Sequence, residues 1–528
     1  MSKLGGAATR ALSFLRPHVE QPLWRVFRED RLLLKLTITL WVAGLIPLFL
    51  TPFLPFSDLP NTTAAASLVW NTAIGHGAAA AHFNVTWVPT PYLTTYWVLA
   101  FLDMAFGPLV AGKVVVGLIL IVIPLGVMRL LVTLRRSPRL ALWAFLLGYD
   151  HNLFSGWVSF LFGLGYCMFV IAWTLEARTT REAVRVAFFS ALVGLTHIQA
   201  VWLLMVAIPL LVPFGRPIAR RFVIHLISGA GLGVTVIPWL LARGVTGPGA
   251  STSAPFWFEW HTPDYKISQI FAYTLDNFVK LPSKRLEAIA FVVLALGPLC
   301  LSLLPRVSTR DRLAAPLALV AASLGLYAFL WMSVDGPVSH WYTYPRYALV
   351  TLFFLLLVPA PRLDGRWALA LLPGVLTVLA LDWEVGRQMV EFGARTRPLT
   401  KVIARIKPEK SVLPLTLDDD LPDPELKLPP YHQLTSYIAA YNKGYMPSMW
   451  DYAGFPLVYR NDRRKPWSGW GFGPQMSFTM EKYGQYYDYV VVQGFDRGDP
   501  VAPFQAGPLP RPHLLVEAGR WRLYEIQR

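Results

Sequence analysis

From Leu32 onward the chain is a succession of apolar runs separated by short basic clusters. A helix of about 20 residues is about 30 Å long, the thickness of bilayer hydrocarbon. Repetition of such runs therefore reads as membrane helices rather than as one very large core. Only 15% of the residues are charged and 54% are hydrophobic, whereas a soluble domain averages about 25% charge. This composition excludes a soluble enzyme and a nucleic-acid binder. The two cysteines, Cys167 and Cys300, both sit inside apolar runs, so a disulfide scaffold is excluded too. The formal charge of +16 comes largely from Lys and Arg between the runs, where such residues set orientation.

Taken in order, residues 1–31 are polar and basic and are expected on the cytoplasmic side, partly along the membrane surface. The first run, Leu32 to Leu54, has no signal-peptide cleavage pattern and reads as the first span. Residues 55–90 follow with no Lys or Arg. The next apolar segment, Pro91 to Gly107, is expected to be an interfacial or re-entrant helix, because counting it as a span would put Arg135, Arg136 and Arg139 outside. Spans are then expected at residues 109–133, 140–149, 156–175, 183–196, 200–214, 222–242, 286–304, 313–333, 346–360 and 367–385. This makes eleven, with the amino terminus inside, the carboxy terminus outside, and external loops at 55–108 and 243–285. The two short spans ending near Asp150 and His197 must be shielded by neighbours or open to a cavity.

The stretch Phe56 to Asn71, FSDLPNTTAAASLVWN, stands out within this layout. Asp58 is the only acidic residue between Asp30 and Asp103, and no Lys or Arg lies near it in sequence. The Asp-Leu-Pro step is expected to lead into a short surface helix. Two roles are open to Asp58: a catalytic carboxylate at the outer mouth of the first span, or a simple helix cap. Other polar residues fall at outward-facing helix ends: Asp103, Lys113, Asp150, His151, His197, Gln199, His340, Tyr344 and Arg346. Ionisable groups at membrane depth face a cavity or a partner. Their convergence on one leaflet predicts a polar cavity open to the outside, against a set of independent interfacial anchors. His197, alone in an apolar run, also reads as a hydrogen-bonded core histidine. Glu259, His261 and Asp264 are metal ligands by type and scattered loop polar groups by pattern.

Residues 386–528 change character and are expected to form a small external α/β domain. Strands are predicted at 412–417 and 487–493, a helix at His432–Asn442, and a closing hairpin from 514–517 and 521–526. Asp418, Asp419 and Asp420 follow the first strand, as a solvated loop or a metal or sugar site. Tyr431, Tyr437, Tyr441, Tyr445, Trp450, Trp467, Trp470 and Phe472 are enough rings for either a saccharide groove or core packing.

This order of features resembles the GT-C superfamily of integral-membrane glycosyltransferases, which includes protein mannosyltransferases, lipid A aminoarabinose transferases and oligosaccharyltransferases. The resemblance rests on Asp58 in FSDLPNTTAAA after the first span, the proline-led helix Pro91–Gly107 ending in Phe-Gly, Lys113 shortly after it, Asp150 in GYDHNLFSG, and the external carboxy-terminal domain. It implies an all-α polytopic membrane bundle with a small α/β domain. It also implies a sugar donor on a polyprenyl phosphate in the outer leaflet, and an extracytoplasmic glycan, lipid or protein acceptor. The chain departs from the pattern in having one acid, Asp58, in the first loop. It also has no Asp-X-Asp in the second, since His151 and Asn152 follow Asp150. A divalent metal is thus not supported by a motif. In the implied reaction Asp58 takes the acceptor proton in a single inverting displacement, Asp150 and His151 hold the acceptor or assist, and Arg346 or Lys113 holds the donor phosphate. Arg346 alternatively snorkels at the interface. The rival class is a non-catalytic transporter or lipid-binding scaffold of the same layout. Charges at the midplane and a repeat between halves would mark a transporter, and neither is visible.

Overall fold

Helix after helix follows the apolar pattern, because a chain in hydrocarbon must satisfy its backbone hydrogen bonds internally. The computed structural model describes residues 22–212, 218–246, 257–306, 313–335, 341–417, 425–431, 433–450, 455–467 and 478–528. The basic lead up to residue 21, His340, the Asp418–Asp420 run, His432, Trp470 and Phe472 lie outside the described residues. Each of the eleven expected segments contains helix. Five helices are long and apolar enough to cross a membrane: Arg31–Phe49, Pro108–Thr133, Val158–Glu176, Ile218–Leu241 and Gly365–Thr396. The others are shorter or less apolar. The expected span at 140–149 is a 3-10 helix, Pro138–Leu147, with Leu140–Leu147 buried throughout, so neighbours shield it. The Leu93–Phe106 helix has 14 residues, about 21 Å at 1.5 Å per residue, less than the hydrocarbon thickness.

One expectation is overturned. The helix after Asp58, Leu59–Ala73, is not at the surface: Leu59 to Val69 are all buried. Its run of Thr, Ala and Ser is uncharged and small-sided on every face, so other elements close around it. Asn61 clamps it to the carboxy-terminal domain. The Asn61 side chain donates to the Ser448 carbonyl at 2.9 Å and accepts from the Trp450 amide at 3.2 Å.

The final apolar helix, Leu372–Thr396, continues through residue 386 without a break. Beyond it the domain is a mixed four-stranded sheet. Its strands are β4 (Val412–Thr416), β6 (Tyr489–Gln493), β7 (Arg511–Ala518) and β8 (Trp521–Gln527), in the order β4-β6-β8-β7. Only the β4–β6 pair is parallel. The helix Ser436–Asn442 lies within the predicted one. Tyr431, Tyr437 and Tyr445 are buried, so those rings pack a core, whereas Tyr441 is exposed.

The domain is knitted to loops of the helix bundle. In the first loop, β1 (Phe83–Val85) pairs antiparallel with β5 (Leu457–Tyr459) of the domain. From the long loop, β2 (Trp257–Glu259) pairs antiparallel with β3 (Ser333–Asp335), at the end of the 313–333 segment. Residues 425–427 dock along 277–279 through backbone bonds, and Ser57 donates to the Pro429 carbonyl at 2.8 Å. The carboxy-terminal domain therefore covers the loop that carries Asp58.

Candidate active site

Two loops are pinned together to place Asp58. The Ser57 and Asp58 amides donate to the Phe154 and Ser155 carbonyls at 2.9 and 3.1 Å. Gly156 makes this approach feasible. Its φ is +80°, and a Cβ there would stand 2.5 Å from the amide nitrogens of both Asp58 and Leu59. Only glycine fits a left-handed residue against a neighbouring backbone.

Asp58 occupies the N-cap position of Leu59–Ala73, yet its side chain makes no capping bond. Its Oδ2 instead accepts from the indole Nε1 of Trp157 at 3.1 Å. The face of the same indole carries Arg346, whose Cζ stands 4.0 Å from the ring centroid, a cation–π contact. Trp157 thus joins the two residues the sequence singled out for base and phosphate contact. Arg346 is 8% exposed and does not snorkel to solvent. Its Nη1 donates to Gln199 Oε1 at 2.6 Å. The Gln199 carbonyl in turn accepts from the Tyr347 hydroxyl at 2.7 Å.

His197 supports this arrangement from behind. It is buried, it caps the Ile198–Leu210 helix by accepting from the Gln199 amide at 3.1 Å, and its ring packs on Tyr92 and Phe160. That is the core-histidine role, two residues before the Gln199 that holds Arg346. On the open side Tyr342, 47% exposed, lies 5.5 Å from the Trp157 ring. Burial first, then the charges of Asp58 and Glu259, raise the Tyr342 phenol above its ordinary value, so it remains an O–H donor at neutral pH.

His151 packs edge-on between Trp157 and Tyr273, with ring centroids 6.1 Å away in each case. Burial lowers its imidazole to about 4, against the opposing pull of Asp276, so the ring is neutral at pH 7. Asp150, by contrast, caps the short helix His151–Phe154, accepting from the Leu153 amide at 2.9 Å. Tyr344 belongs to an adjoining network. Its hydroxyl is hydrogen-bonded to His261 Nδ1 at 2.7 Å, His261 Nε2 meets Glu259 at 3.2 Å, and Lys266 stands over its ring. Asp264 is apart from this network, its side chain engaged with Thr262.

Two expected site residues are engaged elsewhere. Lys113 Nζ donates to the Thr51 carbonyl at 2.6 Å and stands over the Phe49 ring. Asp103 forms an ion pair with Lys443 of the carboxy-terminal domain at 2.8 Å. The predicted convergence thus resolves into separate groups, with Asp58, Arg346 and His151 around Trp157 and Gln199 and His197 behind Arg346. Among the described residues no three His, Cys, Asp or Glu are grouped so as to hold a metal ion. Sequence reasoning did not single out Trp157, Gly156, Tyr342 or Tyr92. The one signal for the first two was their place shortly after Asp150, in YDHNLFSGW.

No family model and no curated protein matches the sequence. Solved structures do. ArnT from Cupriavidus metallidurans bound to undecaprenyl phosphate superposes with a TM-score of 0.53 at 13% identity, covering 94% of this chain and 98% of that one. The apo state of the same protein gives a TM-score of 0.54 at 12% identity over the same shares. Across nearly its whole length the chain is therefore a multi-pass membrane protein with the GT-C-like fold of ArnT.

Proposed function

We propose that this protein is a membrane glycosyltransferase that moves a sugar from a polyprenyl-phosphate donor to an extracytoplasmic acceptor. The observation that carries the reading is Trp157, which contacts both an acid and a cation beneath the carboxy-terminal domain. The fold supports it, since ArnT with this fold binds undecaprenyl phosphate. In the proposed orientation all eleven segments span, the amino terminus is cytoplasmic, and the carboxy-terminal domain lies outside a bacterial plasma membrane.

The chemistry follows from charge. The acceptor hydroxyl oxygen attacks the anomeric carbon as the carbon–oxygen bond to the phosphate breaks. Asp58 accepts the hydroxyl proton, an assistance worth about 10²–10⁴-fold in rate. The lipid phosphate departs as an anion beside Arg346, and a charge-assisted contact of this kind contributes roughly 1.5–3 kcal/mol. Arg346 is favoured over Lys113 because Lys113 already donates to the Thr51 carbonyl. One displacement with one base inverts the anomeric centre. In this reading neutral His151 and the Tyr342 hydroxyl hold the acceptor.

The test uses purified protein in nanodiscs with a panel of polyprenyl-phosphate sugars, reading release of polyprenyl phosphate. Release by wild type and none by Asp58→Asn is expected. Equal release by both removes Asp58 from the role. Binding without release by either points to a non-catalytic carrier or scaffold with this fold.

A further inference from the structure

We propose that Trp157 is a positioning residue that holds the Asp58 carboxylate and the Arg346 guanidinium apart. What those two groups do rests on the glycosyltransferase reading; how they are held rests on geometry alone. Opposite charges in a water-poor site attract strongly. An ion pair between them would quench both: the acid would lose its affinity for a proton, and the cation its attraction for phosphate.

The indole prevents that collapse. Asp58 meets the ring at its N–H edge and Arg346 meets it at its face, so the two approach one rigid plate from perpendicular directions. Arg346 directs its hydrogen bond to Gln199, and its Nε is buried without a hydrogen-bond partner, a donor left over for a ligand. The plate itself is immobilised. Gly156, directly before the indole, packs its backbone against the Asp58 amide, and Tyr342 and His151 pack on the ring.

The first test needs no turnover. Full-length protein in nanodiscs, labelled with nitrogen-15 in its indoles, is titrated from pH 3 upward, with the Trp157 N–H resonance assigned by its loss in Trp157→Phe. Among the described residues, the ionisable groups facing Asp58 include Arg346, Tyr96 and Tyr342, with His151 against the indole. The expected result is a carboxylate-like titration of the Trp157 resonance that disappears in Asp58→Asn. A resonance that does not move, or that moves identically in Asp58→Asn, overturns the hydrogen bond and with it the proposal.

The second test reads binding of undecaprenyl phosphate. Trp157→Ala should weaken binding by about tenfold or more, as Arg346 falls onto Asp58. Trp157→Phe, which keeps a ring under Arg346, should retain most of the affinity. The double variant Trp157→Ala/Asp58→Asn should regain it, because no carboxylate remains to capture the arginine. A double variant no better than Trp157→Ala overturns the spacer role. Absence of wild-type binding counts against the donor reading instead, and the indole titration then decides the positioning role by itself.

Discussion

Gly156→Ala is the substitution that best separates backbone strain from site geometry. Gly75 supplies the control: its φ of +72° is close to the +80° of Gly156, but a Cβ at Gly75 meets nothing within 4 Å. A left-handed conformation costs an L residue about 1–2 kcal/mol, so Gly75→Ala should lose about that much. At Gly156 the new Cβ would sit 2.5 Å from two backbone nitrogens, which cannot swing away as a side chain can. Overpacking of this kind adds about 1–3 kcal/mol, giving about 2–5 kcal/mol for Gly156→Ala. Relief requires the loop at Ser57 and Asp58 to retreat, carrying Asp58 away from Trp157. The assay is thermal unfolding of both variants in the same detergent, followed by donor turnover. Gly156→Ala should unfold at the lower temperature and lose turnover, while Gly75→Ala keeps it. Equal midpoints and equal turnover would refute the account of how Asp58 is placed.

Further outcomes follow from the same contacts. Arg346→Met should raise the donor KM roughly ten- to hundredfold, whereas Lys113→Met should leave it unchanged; steady-state kinetics with both variants checks this, and the reverse order would exchange their roles. Asn61→Ala removes two bonds between the Leu59–Ala73 helix and residues 448–450. It should cost about 1–3 kcal/mol and increase hydrogen exchange at Met449 and Trp450, and unchanged exchange there would discount the clamp. A double-mutant cycle on Asp103 and Lys443 should give a coupling of about 1 kcal/mol or less, falling with added salt. In the carboxy-terminal domain burial raises the Asp488 carboxyl, but bonds from Ser411 and the charges of Lys410 and Lys465 outweigh it and hold it below 3.8. A depressed carboxyl stabilises the fold above its unfolded value, and that contribution is lost as pH falls through the folded one. Asp488→Asn should therefore be less stable at pH 7 and lose less stability on acidification below pH 3.8 than wild type; parallel pH curves would count against the linkage.

Much of the architecture was readable in advance because its cause is local. Each apolar run became a helix, since hydrocarbon leaves the backbone no other way to bond. In the carboxy-terminal domain, alternation and turn signals located the strands at 412–416 and 489–493 and the hairpin turning at Ala518-Gly519 to within a few residues. Asp58 could be singled out because an isolated acid in a chargeless stretch is rare. What misled was the helix after it. Its small uncharged residues suit a solvated surface and a tightly packed interior equally, and its neighbours come from the domain almost 400 positions later.

The pairing of side chains had no local cause and was not legible. Asp103 and Lys113 looked equivalent to Arg346 as polar residues at outer helix ends. Their partners, Lys443 and the Thr51 carbonyl, were supplied by distant parts of the chain. The sequence by itself determined that this protein lives in a membrane, where its charged residues cluster, and which acid is exceptional, because those properties follow from residue type and order. Only the tertiary structure decided that Trp157 touches both Asp58 and Arg346. That contact joins positions 58, 157 and 346, and it exists because one left-handed glycine lets two loops touch and a buried glutamine steers the arginine onto the ring.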